Sequence, residues 1–539
     1  MELSFQFSFM DWILIAAIAL GAASFLLMPL RDSEKWKKRG ITTWGPVPLI
    51  IFFRSTRGLG LLDRLSWPKK FWRFIATAGV PMVVMSMAYF LAVLLLMTFV
   101  MIREPPEPSS YNAPRNILLI PGLNEYVPFV WGWIALFVTM FVHEFAHGIL
   151  CRVEGVRVKS MGVVTFLVAP IAAFVEPDDE ELFGKDQKPP LVSKGARIRI
   201  LSAGVISNFI VAFIAFALFF GPVIGALEPV DRVIVIDVKK DTPAETAGFH
   251  KGMVVLGSNA VNIADLDGLF SNLQKGPQMK MLYDNQEMNL NLNANPIKGI
   301  MVASVFDGSP AAKAGLGPSS IITQIDGIEI ENLRGFRNYM NTTKPNQVIT
   351  VLAADGNTYD VELTSKEDGK GFMGIAISGD AVYAGGAVFQ QAPTRPFLAA
   401  LKSIPSQGMQ GFAYLLSLPF TGIPGFTERG FPGFSGWIIA VFQPVGWAAA
   451  LGEKYFWIAN LLLWIGWINL YAGLFNCLPA VPLDGGHIFR DLVQSGLERL
   501  VNIQEAERYT RTVVAVLAWL VLTSIAISVF APFTHGLSL

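Results

Sequence analysis

The chain has 539 residues, of which 52% are hydrophobic and only 16% charged, with a mean hydropathy of +0.46. Soluble domains carry about a quarter charged residues, so this balance excludes a purely soluble enzyme and implies membrane spans mixed with soluble parts. The 42 Lys+Arg offset the 42 Asp+Glu, which removes the basic footprint of a nucleic-acid binder, and the two cysteines, Cys151 and Cys477, are too few for a disulfide framework or a thiolate zinc site.

Crossing about 30 Å of hydrocarbon takes roughly 20 apolar residues. Runs of that kind are Trp12 to Leu30, Phe74 to Ile102, Ile200 to Ala226, Tyr455 to Leu483 and Thr512 to Thr534. A sixth, Val127 to Cys151, qualifies except where His143, Glu144 and His147 interrupt it. The predicted architecture is therefore a polytopic α-helical membrane protein of about six transmembrane helices. The first run is flanked by Glu2 and Asp11 with no basic residue, so it reads as a span rather than a cleavable signal peptide. Orientation follows from the basic residues. Arg31 to Arg73 holds 11 Lys/Arg against 3 acids, whereas Arg103 to Tyr126 holds 2 against 3. Basic loops stay in the cytosol, which puts the first segment inside, the second outside, and everything from about Leu227 to Lys454 outside. Thr42 to Trp67, broken by Pro46, Pro48 and Gly58, reads as a linker against the bilayer.

In the third span, Val142-His-Glu-Phe-Ala-His-Gly148 places two imidazoles four positions apart on one helix face, as the first two ligands of a zinc ion require. Glu144 lies one residue round, beside the metal, where a carboxylate can take a proton from water and later give it up. Ionisable groups inside a span cost a few kcal/mol each, which argues for function over incidental surface histidines. In the next span, Gly204-Val-Ile-Ser-Asn208 taken alone reads as small-residue packing between helices.

Between the fourth and fifth spans the sequence repeats at an offset of 67: Asp241-Thr-Pro-Ala-Glu-Thr-Ala-Gly-Phe249 matches Gly308-Ser-Pro-Ala-Ala-Lys-Ala-Gly-Leu316. Each copy is predicted to run strand (Arg232 to Val238; Gly299 to Val305), short helix with an early Pro, second strand, Asp/Asn turn. The pattern resembles tandem PDZ domains of membrane and periplasmic proteases over about Pro229 to Ser378. A PDZ groove takes an extended peptide or C-terminus as an added strand. The first copy lacks the usual Asp-Gly turn. Ala381 to Gly452 is Gly- and Pro-rich and reads as a connector, with Phe397 to Leu418 as an interfacial helix.

The fifth span ends in Asn476-Cys-Leu-Pro-Ala-Val-Pro-Leu-Asp-Gly-Gly486, where Pro479, Pro482 and two glycines break the helix and let Asp484 turn inward as a third ligand. Asp484 could instead cap the following helix, and His487 is a weaker ligand candidate.

The ordered set His143-Glu144-x-x-His147, Gly204-x-x-x-Asn208 and Leu483-Asp484-Gly485, with PDZ modules inserted between the last two, resembles the site-2 protease family of intramembrane zinc metalloproteases over roughly Val127 to Val529. The resemblance implies one Zn2+ per chain held by His143, His147 and Asp484, Glu144 as general base and acid, Asn208 as a holder of substrate or oxyanion, and Asn476 in a positional role. It further implies transmembrane-protein substrates in regulated intramembrane proteolysis, and use of a hairpin from Val156 to Glu176 to hold substrate as a strand. The expected location is a prokaryotic cell membrane, with the PDZ modules extracytosolic and the metal toward the cytosol. The expected segments are 1–126, N-terminal spans and basic loop; 127–226, first half of the catalytic core; 229–298 and 299–378, the two PDZ modules; 379–453, connector; and 454–539, second half of the core. The competing class is a non-catalytic membrane scaffold or chaperone that binds peptides through its PDZ modules.

Overall fold

The computed structural model describes residue 22 and residues 33–43, 49–109, 112–117, 119–166, 169–184, 189–283, 286–365, 369–423 and 430–534. The expected span Trp12 to Leu30 lies outside these apart from Ala22. The chain divides into two compact units, Met1–Gly221 with Leu416–Phe420 and Asn460–Leu539, and Pro222–Leu415 with Thr421–Ala459.

The first unit is mainly helical, with one small sheet. Its main helices are α1 (Lys69–Arg103), α2 (Phe129–Glu154), α3 (Lys194–Leu218), α4 (Lys454–Asn476), α5 (Asp484–Leu497) and α6 (Ile503–Phe530). All but α5 are long and apolar enough to cross a membrane, five such helices among the described residues. Their ends follow local chemistry. Gly155, at φ 91°, closes α2 in the left-handed conformation that a residue without Cβ adopts freely. Ser193 opens α3 by accepting from the Ala196 N–H. The helix expected from Thr512 begins instead at Ile503, because Asn502 accepts from the Glu505 N–H and starts it two polar turns before the apolar run. The run expected to reach Leu483 stops at Asn476, and α5 starts afresh at Asp484 after the two prolines.

α3 is the centre of this unit. Against it α1 packs Val83 and Met87, in one core with Ile198, Leu201, Val205 and Ile206 of α3 and Ile488 of α5. α4 lays Gly466 and Gly473 on Phe216 and Phe209, so near that a Cβ at either glycine would lie 2.7 or 2.6 Å from the ring. Glycines seven apart facing phenylalanines seven apart fix an antiparallel close approach. α1 and α6 expose Phe74, Leu96, Phe99, Val516, Trp519 and Leu522, apolar surface that lipid covers at no cost and water does not.

Thr42 to Trp67 is not a linker. It supplies β1 (Ile41–Thr43), β2 (Ile50–Ser55) and a helix Leu59–Leu65, and the strands join β3 (Val158–Phe166) and β4 (Ala169–Pro177) in an antiparallel sheet of order β1-β2-β3-β4. Ile50-Ile-Phe-Phe53 is β-branched and aromatic, and it pairs with Val163 to Phe166. The expected hairpin is thus the far half of a four-stranded sheet, with β4 on its edge.

In the second unit the elements of the repeat return 67 residues on as far as the second helix, and the last two strands 70 to 72 residues on. β5 (Val233–Val238), a turn of helix at Pro243–Thr246, β6 (Val254–Ser258), helix Leu266–Leu273, β7 (Gln278–Tyr283) and β8 (Gln286–Asn291) form the first copy. β9 (Ile297–Val305), Pro310–Lys313, β10 (Ile321–Ile325), Leu333–Met340, β11 (Val348–Ala353) and β12 (Thr358–Glu362) form the second. Matched caps explain the match: Thr242 and Ser309 each accept from the N–H three residues on, as do Asp265 and Asn332. Each copy has its own apolar core.

The expected boundary at 378 falls inside β13 (Ile375–Ala384), which with β14 (Ala387–Gln391) joins the copies. β13 pairs with β9, β14 with β5, and the two pair with each other, giving the order β8-β7-β6-β5-β14-β13-β9-β10-β11-β12. Read from either end, equivalent strands meet in the same sequence, so the copies are related about the β13–β14 hairpin. The expected interfacial helix is two, Thr394–Ser403 and Gly408–Thr421, separated at Gly408 (φ 56°).

Candidate metal centre

His143 and His147 lie one turn apart on α2, with ring centroids 4.7 Å apart and planes at 80°. Their Nε2 atoms are 3.1 Å apart, and Asp484 Oδ2 lies 3.1 Å from the first and 3.2 Å from the second. These three are the described residues grouped closely enough to share an ion. Ligands bound to a tetrahedral zinc at 2.0–2.1 Å sit roughly 3.3–3.4 Å from one another. The triangle fits zinc, with nitrogen and oxygen donors and no sulfur. Nothing else compensates the buried Asp484 Oδ2. The N-cap of α5 is Leu483, and no side chain caps it, so Asp484 faces the imidazoles rather than the helix end. His487 stays out of the cluster with its ring 5.1 Å from that of Phe183, and burial together with the Arg490 guanidinium holds its pKa below the ordinary histidine value.

α3 orients both imidazoles. His147 Nδ1 lies 2.8 Å from the Ile200 carbonyl, which can only accept, so the proton sits on Nδ1 and the Nε2 lone pair is free for a metal. Asn208, fully buried, has its amide placed with Nδ2 3.2 Å from His143 Nδ1. A metal on Nε2 leaves a proton on Nδ1, which needs an acceptor. The Asn208 oxygen, otherwise without a hydrogen-bond partner, supplies it when the amide is turned toward the ring. Gly204 explains why the two rings can lie against α3: a Cβ there would be 2.4 Å from His147 Nε2 and 2.6 Å from His143 Cε1.

Glu144 lies outside the triangle, and its Oε2 accepts from the Val175 N–H of β4 at 3.0 Å. The base expected beside the metal is therefore held by an edge strand. Sequence motifs do not reveal this contact or that of Ile200, because both partners are backbone atoms that carry no residue signature. Asn476 ends α4, eight positions before Asp484. Gly485 and Gly486 let α5 begin directly on the carbonyls of Cys477 and Ala480, where a Cβ would come within 2.3–2.8 Å.

Helices of membrane length around two imidazoles, a carboxylate and an adjacent glutamate are the makings of a membrane metallohydrolase. The chain belongs to peptidase family M50, whose sequence model matches residues 131–521. Relatives include a Methanocaldococcus jannaschii protein, MJ0971, described as uncharacterized (28% identical over 54% of this chain and 73% of its own). Another is a Neisseria meningitidis serogroup A protein provisionally described as a zinc metalloprotease (24% identical over 66% and 88%). The regulator of sigma-E protease RseP of Salmonella typhimurium is 23% identical over 66% of this chain and 88% of its own. The protein is a multi-pass zinc metalloprotease of the site-2 type.

Proposed function

We propose that this protease hydrolyses a peptide bond within or near a transmembrane segment of its substrates, with His143, His147 and Asp484 as zinc ligands and Glu144 as general base and acid. The observation that supports this most is the Nε2, Nε2, Oδ2 triangle with edges of 3.1–3.2 Å. Bound there, zinc would polarise the scissile carbonyl and acidify the attacking water. Glu144 receives a proton from that water as its oxygen bonds to the carbonyl carbon, then hands it to the nitrogen as the C–N bond breaks. The Val175 N–H holds one Glu144 oxygen, leaving the other for this transfer. With its amide turned from the placed orientation, in which Nδ2 faces His143 Nδ1, so that the oxygen accepts from the ring, Asn208 would direct its NH2 away from the ring as a donor for the substrate carbonyl or the oxyanion. A helical substrate must unwind first, since its carbonyls are engaged within the helix, and the edge of β4, unpaired with another strand among the described residues though its Val175 N–H is taken by Glu144, can take the opened segment as a strand.

Regulated intramembrane proteolysis is the setting we infer. The basic segment Arg31 to Arg73 supports a metal centre toward the cytosol and a second unit outside, where its PDZ-like copies bind peptides or screen bulky ectodomains. Glu144→Gln tests the mechanism. The purified variant should keep one zinc per chain and cut a model membrane substrate about 10²–10⁴-fold more slowly. Cleavage at the unsubstituted rate would remove Glu144 from the reaction.

A further inference from the structure

Asp484 reaches the imidazoles from a different helix, which raises the question of what fixes α5 along its own axis. The apolar contact between α3 and α5 runs through Ile198, Leu201, Val205 and Ile488, and such packing is tolerant of sliding by one turn into the next groove. A shift of one turn, about 5.4 Å, would carry the carboxylate beyond reach of ligands whose spacing is near 3 Å.

One directional contact stands against that slide. Arg197 of α3 and Asp491 of α5 are 3% and 0% exposed. Arg197 Nε donates to Asp491 Oδ2 at 2.5 Å and Nη2 to Oδ1 at 2.8 Å, a two-pronged pair, while Nη1 donates to the Leu182 carbonyl at 3.2 Å. Arg197 precedes Gly204 by seven residues, and Asp491 follows Asp484 by seven, two helical turns in each case. On antiparallel helices the pair therefore copies, about 10 Å away, the register in which Asp484 stands opposite Gly204 and the imidazoles. Lys194, three residues before Arg197, meets Glu498, seven after Asp491 and at the C-cap of α5, so a second ion pair ties the same ends of the two helices. A buried pair of this kind gains little net stability after desolvation, and setting register is its best-attested use.

We propose that Arg197 and Asp491 are positioning residues that set the axial register of α5 and so hold Asp484 in the coordination sphere. α3 is then the ruler for the whole centre: Ile200 and Asn208 aim the imidazoles, and Arg197 delivers the carboxylate. The inference rests on the ligand assignment above. Its test is zinc affinity by chelator competition on the purified full chain, together with the visible absorption of the Co2+-substituted protein, which reports ligand geometry independently of turnover. Replacing the pair by Arg197→Leu with Asp491→Leu removes both charges without stranding either. It is expected to weaken zinc binding about 10–100-fold and alter the Co2+ spectrum. The exchanged pair, Arg197→Asp with Asp491→Arg, should recover most of that loss. Arg197→Lys, which keeps the charge but not the fork, should weaken zinc binding by at least about threefold, and it carries the test if the leucine pair does not fold. Native affinity and a native Co2+ spectrum in the leucine pair, or in Arg197→Lys where that is the variant in hand, would overturn the proposal. Asp484→Ala separates the two levels: zinc retained in that variant defeats the ligand assignment, whereas zinc lost there but held natively in the leucine pair defeats the register role alone.

Discussion

Gly204 has no side chain, and the two imidazoles occupy the space one would take. In most helix interiors Gly→Ala is favourable by about 1 kcal/mol. Here Gly204→Ala should instead cost zinc affinity, about tenfold or more, because the new methyl would start 2.4 Å from His147 Nε2 and both rings would have to move. Chelator competition on the purified variant checks this, and an affinity equal to the native protein's would mean that the rings do not rest on α3. At this scale the sequence was partly transparent. That His143, His147 and Asp484 come together was legible, because metal ligation, as proposed for them, demands particular side chains at particular spacings. The acceptors behind them were not, since the Ile200 carbonyl and the Val175 N–H belong to the main chain. Arg197 and Asp491 were also silent, because a charge 294 positions from its partner carries no local pattern.

The two copies show how one element tolerates a poor residue. The turn after β6 is Asn259-Ala260 with φ 47° and 64°, and its counterpart after β10 is Asp326-Gly327 with φ 48° and 79°. Both join strands through a two-residue loop of the left-handed kind, so the first copy makes the expected turn without the usual Asp-Gly residues. Ala260 bears a cost of roughly 1 kcal/mol that glycine would not. Ala260→Gly should therefore strengthen the Ser258–Val261 hairpin by about 1 kcal/mol, read as a several-fold slowing of amide hydrogen exchange there. Unchanged exchange would show that the strain is relieved elsewhere. Strand and helix positions in both copies were legible from caps and turn residues. The β13–β14 hairpin was not, since Gly379, Gly385 and Gly386 made the stretch look like a connector when they serve as bends within a sheet.

At the scale of the molecule, the membrane reading rests on apolar surface that the fold leaves uncovered. Val516, 59% exposed on α6, faces away from the helices it packs against. Val516→Arg should reduce the amount of protein integrated in the membrane, in line with an insertion cost of about 2.5–3.5 kcal/mol, and full integration would place that face in water or against protein. The same reading predicts topology: a cysteine introduced at Lys313 should react with an impermeant maleimide added outside intact cells, and protection there with labelling only after lysis would invert the assignment. Five of the six expected spans were legible from length and composition, the first lying outside the described residues. The N-terminal sheet was not, because β2, on which β1 pairs, gains its own partner from β3, more than a hundred residues away. In the proposed centre one zinc joins α2 to α5 through nitrogen and oxygen alone. Zinc-edge X-ray absorption on the purified protein tests it most directly. The expected spectrum has a shell of nitrogen and oxygen at about 2.0–2.1 Å with the multiple scattering of two imidazoles, and a sulfur shell near 2.3 Å or a spectrum without imidazole would contradict that ligand set.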